Sequence, residues 1–147
     1  MSETDNPVIE EWLLRLAEVV GVPDKETYFV GGSIGCQAIM RYLETINTSV
    51  GGAVFVSGWF NLEDMEDETE ERIAKSWIET PIDLQKVKSL LPKSTLIISD
   101  NDPYGAFEEN KRGFGKIGSK IVVLHSADHI TDLKHQEILS EVLDVSK

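Results

Sequence analysis

Little in this sequence favours the partners or compartments that leave a compositional mark. One cysteine in 147 residues rules out an internal disulfide and suits a reducing cytoplasm. Fourteen Lys and Arg stand against 26 Asp and Glu, a formal net charge of −12. The clustered cations that nucleic acid or an anionic membrane surface requires are therefore missing. No apolar run approaches the ~18 residues of a membrane span, and the opening residues are acidic and polar rather than a signal-peptide core. No Walker motif and no spaced His/Cys ligand set occurs, so no cofactor and no metal are implied.

What is present is an ordinary globular composition, 41% apolar and 27% charged, expected to form one domain over residues 1–147. Asn6-Pro7 opens a helix through about residue 20, with Ile9, Trp12, Leu13, Leu16 and Val20 on one face, and Gly21 and Pro23 stop it. A short apolar strand over 27–31 follows, then a helix carrying Cys36, Ile39, Met40 and Leu43 at helical spacing. Gly51-Gly52 turns into Ala53-Val54-Phe55-Val56, a run typical of a strand buried on both faces.

Seven acidic residues crowd positions 63–71, read as a solvated loop or helix face rather than a metal site. A small helix with Leu84, Val87, Leu90 and Leu91 comes next, then a third strand over Thr95-Leu96-Ile97-Ile98. A glycine-loosened helix over 105–118 leads to a fourth strand, Ile121-Val122-Val123-Leu124, and a last helix using Leu133, Ile138, Leu139 and Val142. Strands alternating with helices imply βα units, hence an α/β fold with a parallel sheet of about four strands.

The chemistry concentrates where the first strand ends. Tyr28-Phe29-Val30 runs into Gly31-x-Ser33-x-Gly35, the sequence form of a nucleophile elbow. A serine on a sharp strand-to-helix turn has its Oγ pushed out of the sheet, and the glycines Gly31, Gly32 and Gly35 leave room for the backbone around it. A serine hydroxyl is a poor nucleophile unless a base takes its proton and a carboxylate orients that base. Asp102 lies just past the third strand, with Asp100 as a rival. His129 lies just past the fourth and opens the last helix, with His125 and His135 as rivals. Parallel strands bring all these loops to one sheet edge, where ligands bind in such folds. Cys36 belongs to the apolar face of its helix. Gly113-x-Gly115-x-x-Gly118 matches a dinucleotide fingerprint in letters, but it follows a helical stretch and precedes a strand, the reverse of what phosphate binding needs.

With these residues assembled, the chain resembles the small α/β-hydrolase-fold serine hydrolases of the YdeN-like and retinoblastoma-binding protein 9 family. The resemblance runs over nearly the whole chain: Asn6-Pro7 with Glu10-Glu11-Trp12, Tyr28-Phe29-Val30-Gly31-x-Ser33-x-Gly35, Arg41-Tyr42-Leu43-Glu44, Val56-Ser57, Asp102-Pro103 and the His129 segment. It implies Ser33 as nucleophile, His129 as base, Asp102 as orienting acid and the Ile34 N–H as one oxyanion donor, acting on a small acyl or ester substrate. Two departures accompany it. Gly32 stands where the family has His, and the family's opening strand, His-Gly-x-x-Gly loop, helix and second strand have no counterpart here. That loop supplies the second oxyanion donor, so the alternatives are an impaired or non-catalytic binding protein, or a fragment of a longer active hydrolase. Without the preceding strands, 27–31 becomes an open sheet edge beside an uncovered face, which predicts self-association, such as a homodimer through that edge, or a partner, or poor folding.

Overall fold

The computed structural model describes residues 5–132 and 134–147. A parallel sheet forms from β1 (Tyr28–Gly32), β2 (Gly52–Val56), β3 (Ser94–Ser99) and β4 (Lys120–Leu124), side by side in sequence order. The helices are α1 (Ile9–Val20), α2 (Ile34–Thr45), α3 (Glu68–Glu79), α4 (Leu84–Leu90), α5 (Phe107–Lys116) and α6 (Gln136–Val145). Each strand falls where its apolar run lies, and β2 and β3 are buried at every position because helices cover both their faces.

The pleat divides the core. Phe29, Ala53, Phe55, Leu96 and Ile98 point to one side and pack with Ile39, Met40 and Leu43 of α2, Val87 of α4 and Phe114 of α5. Val54, Val56 and Ile97 point to the other and meet Ile138 and Val145 of α6. Sequential parallel strands joined by right-handed crossovers must place their connecting helices on one face, which is why, among the described residues, only the helix after β4 reaches the second. A third cluster joins the three tryptophans, with Trp12 and Trp77 edge to face at 5.7 Å and Trp59 beside them.

β1 is the open edge expected of it. Its second-face residues Tyr28 and Val30 are 38% and 47% exposed, because α6 lies over β2 and β3 and stops short of them. Glu141 fixes that placement, accepting from Thr95 Oγ1 of β3 and Lys120 Nζ of β4.

Two expectations need correction. Leu139 was assigned to the apolar face of the last helix but is exposed, since α6 meets the sheet through Ile138, Val142 and Val145 and Leu139 sits ~100° round the axis. His129 does not open that helix; α6 begins at Gln136 behind His135, and His129 lies in the loop before it. The acidic stretch, expected as a solvated loop or helix face, is loop over 63–67 and helix from 68. Asp67 caps α3, accepting from the N–H groups of Thr69 and Glu70, and Glu68, Glu70 and Glu71 sit at the positive end of its dipole. The expected place of Leu133 in the last helix falls outside the described residues. Gly113 and Gly115 lie inside α5, and Gly113 is required by packing: a Cβ there would stand 2.3 Å from Phe60. Among the described residues no helix is long and apolar enough to cross a membrane.

Candidate active site

The turn after β1 has the geometry its letters predict. Ser33 sits at φ 51°, ψ −120°, between the last strand residue and the first residue of α2. Its N–H donates to Val56 O of β2 at 2.8 Å, which ties the strained residue to the sheet. The steric demand falls on one glycine. A Cβ on Gly31 would lie 2.5 Å from Ile39 Cδ1 and 3.0 Å from the Gly35 backbone, whereas Gly32 and Gly35 face open space. Reading all three glycines as needed for room is therefore too broad; only Gly31 is so confined. Cys36 is fully buried behind the turn, and burial pushes its thiol up to about 12, which leaves it inert as a nucleophile.

Asp102 stands in the turn after β3. Its Oδ1 accepts from Tyr104 N–H at 3.0 Å and its backbone O from Gly105 N–H, so the carboxylate is held by its own loop. His129 Nδ1 lies 2.7 Å from Asp102 Oδ2, and both side chains are nearly buried, 13% and 10% exposed. The Tyr104 ring meets the imidazole edge-on at 4.9 Å. Burial, then a hydrogen bond to Glu70, pushes the Tyr104 phenol up to about 12, so it stays protonated and donates to Glu70 Oε1.

β4 lies three strand spacings from β1, about 14 Å away, so His129 must be carried back across the sheet. The loop over 125–130 does this through a ladder of bonds to the other strand ends. Ser99 Oγ accepts from Ala127 N–H, Asn101 Oδ1 from Asp128 N–H, and Ser57 Oγ from Ile130 N–H at 2.8 Å. Ser57 lies just past β2, next to the elbow strand. A second histidine–carboxylate pair, His125 with Asp100, lies on the outside of this loop, where the His125 side chain is 82% exposed.

Ser33, Ile34 and His129 line one cavity of about 210 Å³ with Trp59, Leu62, Met65, Ile73, Ala74, Tyr104 and Glu70. Its walls are apolar apart from Ser33, His129, Tyr104 and Glu70. Ile34 opens α2, and the first N–H groups of a helix have no partner within it. The hydrogen bond of Ser33 Oγ among the described residues is not to His129. It accepts from Trp59 Nε1 at 3.2 Å.

Three lining residues, Trp59, Tyr104 and Glu70, were not among the expected site residues. Trp59 and Tyr104 follow the rule that placed Asp102 and His129, lying a few residues past β2 and β3. Glu70 carried no such signal, because it reaches the cavity from the first turn of α3.

A parallel sheet with a left-handed serine between β1 and α2, and an Asp and a His from the two later loops, defines an α/β-hydrolase fold. The sequence model of the family described as serine hydrolase matches residues 1–142, and the chain belongs to that family. The rat serine hydrolase RBBP9 is 26% identical over 119 residues, a match that covers 81% of this chain and 61% of the relative. The chain thus spans about three-fifths of that relative's length. Among solved structures, the ydeN gene product of Bacillus subtilis superposes with a TM-score of 0.83 at 24% identity, over 99% of this chain and 78% of that one. A carboxylesterase structure from the thaumarchaeon Nitrososphaera gargenis superposes with a TM-score of 0.66 at 13% identity, over 99% and 75%.

Proposed function

We propose that this chain hydrolyses small acyl esters through an acyl-enzyme on Ser33, with His129 as general base and Asp102 as its orienting acid. The observation that carries the reading is the buried 2.7 Å contact of His129 Nδ1 with Asp102, in the wall of the cavity that Ser33 also lines. With Nδ1–H donating to the carboxylate, the other ring nitrogen is the one available to take a proton. The Ser33 Oγ proton passes to His129 as Oγ bonds to the acyl carbon, and the carbonyl electron pair moves onto oxygen beside the Ile34 N–H. The intermediate collapses, the alkoxide leaves with the proton from His129, and water repeats the sequence to release the acid. Hydrogen bonds between nucleophile and base are often long without substrate, so the present Ser33–Trp59 bond is compatible with this role.

A fluorophosphonate probe tests the nucleophile. The wild-type chain should become labelled and Ser33→Ala should not; equal labelling of both, or of neither, would end the assignment. A second reading, a binding or scaffold protein with an impaired site, draws support from the open β1 edge. The same edge supports a homodimer. The net charge of −12 supports neither nucleic acid nor an anionic membrane as partner, and a single buried thiol suits the cytoplasm.

A further inference from the structure

We infer that Trp59 is a further catalytic residue: its indole N–H stabilises the charge on Ser33 Oγ as that oxygen loses its proton and again as it leaves the acyl-enzyme. The inference rests on the hydrolase reading above.

The contact joins residues from different loops. Trp59 lies past β2 and Ser33 past β1, and Trp59 Nε1 donates to Ser33 Oγ at 3.2 Å. An indole nitrogen is a donor only, so it cannot take the serine proton. Occupying a lone pair of Oγ, it leaves the O–H free to point elsewhere, and His129 is the basic group in the same cavity.

The donor is also held still. Trp59 is 3% exposed, and its ring packs with Trp12, Ala38 and Trp77. Its backbone O accepts from Gln37 Nε2 at 3.0 Å, and the next two N–H groups, of Phe60 and Asn61, both donate to the buried Asn110 Oδ1. On the other side Gly58 lies so close to Phe114 that a Cβ would stand 2.5 Å from the ring. A loop anchored on both flanks presents a preorganised dipole, which costs no rearrangement when charge develops.

The charge develops on Oγ at both ends of the cycle. In acylation the Oγ–carbon bond forms as the Oγ proton goes to His129, so Oγ is electron-rich before the bond is complete. In deacylation water attacks the acyl carbon and loses a proton to His129. The carbon–Oγ bond then breaks, Oγ keeps the electron pair and recovers that proton. A hydrogen bond to an oxygen bearing charge is roughly twice as strong as one to a neutral oxygen, so the Trp59 N–H favours both transition states over the resting serine. If the indole merely found a convenient acceptor in the core, its loss would alter stability and leave the rate alone.

Trp59→Phe keeps an aromatic ring and deletes the donor. With a short-chain p-nitrophenyl ester, kcat should fall about tenfold or more while KM stays within about twofold, and fluorophosphonate labelling should slow in parallel. Trp59→His, which retains a ring N–H, should keep more activity than Trp59→Phe. An unchanged kcat in folded Trp59→Phe, or a loss expressed only in KM, would overturn the inference. Should neither variant fold, the wild-type protein carries the test by NMR. In the resting protein the Trp59 Nε1–H signal should be protected from exchange, and phosphonylation of Ser33, which turns Oγ into a poorer ester acceptor, should move it upfield; rapid exchange at rest, or no response to the modification, would overturn it. An inert wild-type chain would overturn both this inference and the hydrolase reading, whereas an active wild type with an unaffected Trp59→Phe overturns this inference alone.

Discussion

His129 and Asp102 meet at 2.7 Å from loops after different strands, and their burial separates them from the chemically similar His125–Asp100 pair on the surface. Side-chain type does not distinguish the two pairs. Of the two histidines, His129 lines the cavity with Ser33 and His125 does not.

Swapping the pairs is therefore informative. His129→Ala should lower ester hydrolysis and probe labelling by about 10³-fold or more, and Asp102→Asn should also cost orders of magnitude. His125→Ala and Asp100→Asn should leave both within about twofold. Labelling rates on the four variants decide it, and the reverse order would move the base to His125.

The outer pair predicts a pH effect on stability instead. The Ser126 N–H first, and His125 second, hold the Asp100 carboxyl below its ordinary 3.8. A depressed folded pKa contributes stability that is complete above the unfolded value and disappears as pH falls through the folded one. Thermal melts of Asp100→Asn should match wild type in acid below the folded pKa and fall below it above about pH 4, where the ionised carboxylate contributes. Parallel curves across that range would refute this.

Arg41 offers a stability test remote from the chemistry. It is 3% exposed and its Nη2 donates to Trp77 O and Thr80 O, both at 2.6 Å, where α3 ends. Its ionised head thus sits at the negative end of a helix dipole with backbone oxygens for partners. Arg41→Met should destabilise the fold by about 2–4 kcal/mol in urea titrations, because buried carbonyls lose charged donors. Arg41→Lys, with a shorter head that cannot fork, should recover only part of the loss. A change under about 0.5 kcal/mol would mean that water or another donor replaces the guanidinium.

The β1 edge makes the last prediction. Val30 is 47% exposed on a strand with one neighbour. Light scattering should show a dimer or larger species, and Val30→Lys, a charge of the kind that blocks edge pairing, should shift it toward monomer. A wild-type chain that stays monomeric at high concentration would count against pairing through this edge.

Strand and helix positions were legible because the signals are local. The apolar runs at 53–56 and 95–98 could bury only as inner strands, and Gly31-x-Ser33 before a helical pattern could hardly form anything but a strand-to-helix turn. The strands lie in sequence order, each joined to the next through at least one helix. Leu139 was misplaced because a helical repeat tells which residues share a flank but not how wide a neighbour covers it. α6 contacts the sheet along a narrow stripe, so a leucine on the repeat's margin is left in solvent.

Residue order alone pointed to the nucleophile candidate, the parallel sheet and the short list of acids and bases at its C-terminal edge. Local backbone geometry and periodicity carry that much information. The packed fold was needed to put His129 rather than His125 in the cavity wall and to bring Trp59 onto Ser33 Oγ. It also showed that Gly31 alone of the elbow glycines is confined. Those outcomes depend on how loops from separate strands cross the sheet edge and on which atoms exclude one another there. No spacing along the chain encodes either.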